Sequence, residues 1–132
     1  MEKLVHIPAG LVRMEGMLSI PEKSKGLVLF AHGSGSSRLS PRNTFVAKNL
    51  QKAGLATLLI DLLSEEEDSV YETRFNIPLL KERLIQIVSW LQKEPETKNL
   101  PIALFGASTG AASALKVAAA LGESIKVRIG VL

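Results

Sequence analysis

One stretch limits what this chain can fold into more than any other: an apolar run, Ile102-Ala103-Leu104-Phe105, enters Gly106-Ala107-Ser108-Thr109-Gly110, and an alanine-rich helical stretch leaves it. The glycines two positions either side of Ser108 permit a tight, strained turn between a strand and a helix, which lifts the serine hydroxyl clear of the sheet edge. A G-x-S-x-G string on its own is weak. With a strand before it and a helix after it, the string marks a fold in which strands and helices alternate.

The rest of the chain agrees with that alternation. Residues 3–7 and 11–20 flank Pro8-Ala9-Gly10 and predict an antiparallel opening pair of strands. Gly26-Leu27-Val28-Leu29-Phe30-Ala31 is a continuous apolar run ending in glycines and serines, the pattern of a strand buried on both faces and paired in parallel. Ser40 and Pro41 suit the N-cap and first position of a helix running to about Ala53, with Gly54 just past its end. Residues 55–63 predict another buried strand, ending around Asp61. Asn76 suits the cap of a helix whose Ile77, Leu80, Leu84, Ile87, Val88 and Leu91 share one face. Pro95 and Pro101 bracket a polar connection; residues 101–107 are then the strand into Ser108, 109–121 a helix ending at Gly122, and 126–132 one more strand. Residues 64–69, with Glu65, Glu66, Glu67 and Asp68, read as a short acidic surface loop.

Composition narrows the function classes. A chain of 132 residues, 46% hydrophobic and 22% charged, predicts one globular, soluble domain with a single core. No segment approaches the roughly 20 apolar residues of a membrane span, and Met1-Glu2-Lys3-Leu4-Val5-His6 lacks the apolar core of a signal peptide, so a cytoplasmic protein with no membrane partner is expected. Zero cysteines exclude disulfides, a thiolate nucleophile and thiolate metal sites, and two histidines leave little for an imidazole centre. Neither a metal nor a cofactor is expected. The balance of 16 basic against 13 acidic residues is scattered, with one tryptophan and one tyrosine, and lacks the clustered basic face of a nucleic-acid binder. Arg38 and Arg42 leave room for a phosphate-bearing substrate, with surface solvation the simpler reading of both.

Taken together, residues 21–37, the segment Ser40-Pro41-Arg42-Asn43, the strand Leu59-Ile60-Asp61-Leu62-Leu63 and the turn Phe105-Gly106-Ala107-Ser108-Thr109-Gly110 resemble the α/β-hydrolase superfamily, in its dienelactone-hydrolase-like branch. The similarity covers essentially the whole chain and rests on order: His32-Gly33-Ser34-Gly35 follows one strand and the serine turn follows another. The resemblance implies a doubly wound, mostly parallel sheet of about six strands with helices on both faces. It also implies hydrolysis of esters, lactones or similar acyl compounds without a cofactor.

Acyl transfer through a tetrahedral oxyanion asks for a nucleophile, a base and two aimed N–H donors. Ser108 is the candidate nucleophile. The N–H of Thr109 belongs to the first turn of the following helix, where free donors and the positive end of the helix dipole favour negative charge. By the resemblance, the second donor is the N–H of Ser34, with Gly33 and Gly35 letting that loop come close to the substrate and Gly106 and Gly110 shaping the turn around Ser108. An ordinary glycine-serine turn and a plain serine N-cap are the simpler readings of the same residues.

The departure from the family pattern is as informative as the match. The family continues through two more strands, which lead to the acid and the histidine. Here Leu132 lies 24 residues after Ser108, no histidine follows the serine, and Glu123 is the only acidic residue beyond it. Three accounts compete: an inactive remnant acting as an oligomerising or ligand-binding module, a fragment completed by another chain, and a small enzyme with a base assembled from what remains. In the family's strand order, the strand ending at His32 lies between those ending at Asp61 and at Ser108, about 4.8 Å from each, on the edge where α/β proteins bind ligands. That suggests a substitute triad of Ser108, His32 and Asp61; the alternative is that His32 braces the loop and Asp61 caps the next turn. His6, in the first strand, belongs to the far side of the sheet. An exposed edge at 126–132 predicts a homodimer or higher oligomer. Light scattering at micromolar concentration should find one, and a clean monomer near 14.2 kDa would contradict it.

Overall fold

Period-two patterning at the start of the chain becomes a hairpin. In a computed structural model, which describes residues 1–31, 40–106, 116, 119–121 and 125–129, β1 (Glu2–Ala9) and β2 (Val12–Ser19) pair antiparallel from Glu2 opposite Ser19 to Ala9 opposite Val12. Val5, Ile7 and Ala9 alternate with exposed neighbours along β1, and Met14 and Leu18 meet them from β2. The turn is Gly10-Leu11, with Gly10 at φ +65°. A positive φ at the first turn residue alone is the type II′ pattern, which glycine adopts without strain. The turn thus lies one step beyond the predicted Pro8-Ala9-Gly10, and Pro8 sits within β1, a position that an edge strand tolerates.

Among the described residues four further strands follow, with helices between them: β3 (Leu27–Ala31), α1 (Pro41–Lys52), β4 (Ala56–Ile60), the one-turn helix α2 (Glu65–Asp68), a 3-10 turn at Tyr71–Phe75, α3 (Ile77–Lys93), β5 (Ile102–Gly106) and β6 (Ile125–Ile129). The caps fall where the sequence places them. Ser40 Oγ accepts the Asn43 N–H at 3.4 Å with Pro41 next to it, Gly54 takes φ +87° just past α1, and Asn76 Oδ1 accepts the Leu79 N–H at 3.1 Å. Lys116 and residues 119–121 are helical, within the span 109–121 predicted as a helix; the remainder of that span lies outside the described residues.

The six strands form one sheet in the order β1-β2-β4-β3-β5-β6. β4, β3, β5 and β6 pair in parallel, whereas β1 with β2 and β2 with β4 pair antiparallel. The sheet is therefore mixed, which corrects the expectation of a mostly parallel one. A two-residue turn can join only antiparallel strands, and the hairpin it closes docks antiparallel on β4.

β3 and β4 are buried at every position, and their side chains feed two cores. Leu27, Leu29 and Ala31 with Ala56, Leu58 and Ile60 face Leu84, Ile87, Val88 and Leu91 of α3. On the opposite face Val28, Phe30 and Leu59 meet Ala47 of α1, and the Phe30 and Phe105 rings lie 5.1 Å apart. Helices thus cover both faces. Among the described residues no helix is long and apolar enough to cross a membrane.

The hairpin joins the sheet through an unusually close approach. Gly16 of β2 lies opposite Ile60, and a Cβ added to it would sit 2.8 Å from both Ile60 Cβ and the Leu59 carbonyl oxygen. Gly16→Ala should therefore force β2 and β4 apart and destabilise the protein by about 2 kcal/mol, read as a lower urea midpoint. An unchanged midpoint would show that the two strands separate freely.

Candidate active site

Three strand ends define the edge at which a site can form. In the order β4-β3-β5, Ala31 at the end of β3 is opposite Gly106 at the end of β5, and Phe30 is opposite Leu59, so β3 and β4 end level with one another. Neighbouring strands are about 4.8 Å apart. Asp61 is the first residue past β4; it is half-buried, and its N–H donates to the Glu15 carbonyl at 3.0 Å, continuing the β2–β4 ladder by one step. Gly106, the first glycine of the serine turn, is buried at the end of β5. His32, Gly33, Ser34 and Gly35 follow β3 in the chain, and Ser108, Thr109 and Gly110 follow β5; all seven lie outside the described residues.

His6 is held elsewhere. It is opposite Glu15 in the hairpin, and its Nε2 lies 3.1 Å from Glu15 Oε1. β1 is four strands from β5, roughly 19 Å across the sheet at ordinary spacing. The imidazole is thus engaged at the far edge, away from the strand that leads to Ser108.

The connection that follows Asp61 is fixed by a cluster that sequence reasoning missed. Residues 64–69, expected as an acidic surface loop, contain α2, closed by a capping box: Ser64 Oγ accepts the Glu67 N–H at 3.2 Å while Glu67 Oε1 accepts the Ser64 N–H at 2.9 Å. Arg83 of α3 reaches this turn from the buried face of its helix, its side chain only 8% exposed. Its Nη1 donates to the Leu62 carbonyl at 2.9 Å and to Glu67 Oε1 at 2.8 Å, and its Nη2 donates to Glu67 Oε2 at 2.6 Å. The fork of the guanidinium matches the carboxylate, so the pair fixes direction as well as distance. One guanidinium therefore ties the backbone one residue past Asp61, and the helix after it, to α3. Two local signals mark the cluster in the sequence: the Ser64-x-x-Glu67 capping pattern, and an arginine on the stripe that holds Leu80, Leu84 and Ile87.

Comparison with known proteins gives this edge a context. No protein-family model matches the chain. Over 115 residues, 87% of its length, the chain is 53% identical to a protein named "Putative phosphoribosyl transferase" in two strains of Mycobacterium tuberculosis, and it spans about a quarter of those relatives, 26% of their length. Among solved structures it is similar to a dienelactone hydrolase from Anabaena variabilis, with 48% identity and a TM-score of 0.93 over 98% of this chain and 62% of that one. It also matches Est1E from Butyrivibrio proteoclasticus at a TM-score of 0.79 over 94% of this chain and 49% of that one; at 19% identity this is a likeness of fold.

The Arg83 pair has a consequence in pH. The hydrogen bond from Arg83, helped by Ser64, holds the Glu67 carboxyl down at about 2 against an ordinary 4.5, although partial burial pushes the other way. A carboxyl whose folded-state pKa is depressed stabilises the fold fully above its unfolded value and loses that contribution as pH falls towards the folded one. The parent should lose stability between about pH 4.5 and pH 2. Glu67→Gln should flatten that segment of the profile, as followed by thermal melts across the range. Parallel profiles for parent and variant would show that the pair adds nothing to the fold.

Proposed function

We propose that this chain, whose α/β-hydrolase-like fold matches a dienelactone hydrolase at 48% identity, is a serine-dependent hydrolase of small esters, lactones or related acyl compounds. The observation that carries this reading is the pairing of Ala31 with Gly106. The two strands end level, one leading directly into His32-Gly33-Ser34-Gly35 and the other into Ala107-Ser108-Thr109-Gly110. The 48% identity to a dienelactone hydrolase supports the same class of chemistry.

In the proposed reaction the Ser108 hydroxyl adds to the acyl carbon while its proton passes to a base. The carbonyl oxygen becomes an oxyanion held by the N–H groups of Ser34 and Thr109. Collapse expels the alcohol, which takes the proton back, and leaves an acyl-serine; water then repeats the sequence and releases the acid. Within this chain the proposed base is His32, oriented by Asp61, since their strands adjoin. Neither a metal nor an organic cofactor enters the scheme.

A second reading is a non-catalytic binding module, since a serine turn and a glycine-rich loop at one sheet edge can hold a ligand without reacting with it. The two differ in what serine removal does. Even without a full triad, an oxyanion hole and binding leave about 10³- to 10⁴-fold acceleration over water. The transferase name carried by the Mycobacterium tuberculosis relatives describes proteins of which this chain matches 26% and does not direct the proposal.

Hydrolysis of p-nitrophenyl acetate tests the assignment residue by residue. Ser108→Ala should fall to the residual rate that an oxyanion hole and binding supply without a nucleophile, and His32→Ala should lose about 100-fold or more in kcat. A His32→Ala protein as active as the parent removes His32 as the base, and a fully active Ser108→Ala protein removes the serine mechanism altogether.

A further inference from the structure

Among the described residues five that are polar or charged are buried, and four of them are paired through their side chains. Ser19 donates to Glu2, Thr57 accepts from Gln51, Arg83 holds Leu62 and Glu67, and Thr97 donates to the Leu91 carbonyl. The fifth is Asn43, 6% exposed. Its backbone N–H donates to Ser40 Oγ, but among the described residues its carboxamide has no hydrogen-bond partner. A carboxamide offers two donors and an acceptor, and buried polar groups are nearly always paired, so this exception calls for a reason.

Its position can be derived from two contacts further along α1. Gln51 Nε2 donates to Thr57 Oγ1 at 2.8 Å, which sets the C-terminal end of α1 over the start of β4. Ala47 packs in one cluster with Leu59. Asn43, Ala47 and Gln51 are four residues apart and share one helix face, while Thr57, Leu59 and Asp61 alternate along the strand and share one sheet face. From Gln51 back to Asn43 is about 12 Å along a helix, and from Thr57 on to Asp61 is about 13 Å along a strand. Since α1 runs back over the strands, Asn43 comes level with Asp61. It is thus a third layer, after Gln51 over Thr57 and Ala47 over Leu59, and it lies at the edge where β3 and β4 end.

We propose that the Asn43 carboxamide is a substrate-binding group of the hydrolase site described above, hydrogen-bonded to an oxygen of the acyl compound once that compound is bound. The proposal rests on the hydrolase reading. An amide keeps no charge at any ordinary pH and both donates and accepts, which fits a neutral ester or lactone better than an ion. Screened from bulk water, its hydrogen bond to substrate is stronger than one made at the surface. A buried carboxamide with no partner among the described residues also destabilises the free state, and an apolar side chain of similar size relieves the penalty.

Asn43→Leu therefore separates a binding role from a structural one. The expected result is a Tm equal to or above that of the parent, with KM for p-nitrophenyl acetate raised about tenfold, as loss of one buried hydrogen bond implies, and kcat within about twofold. A Tm lower by about 4 °C or more, or failure to fold, would assign the amide to the fold and overturn the proposal. So would a parental KM in a protein whose hydrolysis depends on Ser108, an outcome that leaves the hydrolase reading standing. If the parent shows no Ser108-dependent hydrolysis, the hydrolase reading fails and the substrate role of Asn43 goes with it.

Discussion

Strands β4, β3 and β5 are apolar towards both sides, so they are stable only when something covers each face, and the parallel ladder between them needs a helix in every connection. Those two requirements set most of the architecture. α1 and α3 are the covers, and burial of Leu29, Leu58, Leu84, Ile87 and Leu104, each removing an aliphatic side chain from water, supplies roughly 2 kcal/mol per residue. Because parallel strands joined by helices start and end at common edges, one register brings the ends of β3, β4 and β5 to one line. The shared line of strand ends is a consequence of packing far from it.

Charge is used sparingly inside this frame. Among the described residues Arg83 is the one buried guanidinium, and its desolvation is offset only because the Glu67 carboxylate and the Leu62 carbonyl occupy its donors together. The pair does what apolar contacts cannot, because it fixes the direction of a short connection that has little core of its own. Glu65 and Glu66 of α2, by contrast, are exposed beside a residue that is engaged. The hairpin at the other end of the sheet is joined by a different device, the missing side chain of Gly16, which lets β2 approach β4 closely.

Much of this was legible in the sequence, and the reasons are local. Ser40-Pro41, Gly54 and Asn76 are cap residues whose function depends on neighbours three or four positions away, and the runs 27–31 and 56–60 are apolar at nearly every position. What escaped depends on contacts between distant parts of the chain. The Arg83–Glu67 pair spans 16 residues, and nothing near Glu67 distinguishes it from its acidic neighbours except the spacing to Ser64. The placement of the hairpin turn comes from cross-strand register, and the antiparallel docking of β2 on β4 comes from tertiary packing. For the site, the sequence supplied the residue types and the fold supplies the common edge; Asn43 passed as part of a helix start because its burial comes from the sheet opposite.

The central claim is that the hydroxyl of Ser108 is an activated nucleophile at this sheet edge. Incubation with a fluorophosphonate, followed by intact-protein mass spectrometry and peptide mapping, tests it without any assumption about substrate. The account predicts one covalent adduct, on Ser108, that is lost in Ser108→Ala. A folded parent protein that forms no adduct, or an adduct that persists when Ser108 is replaced, would contradict it.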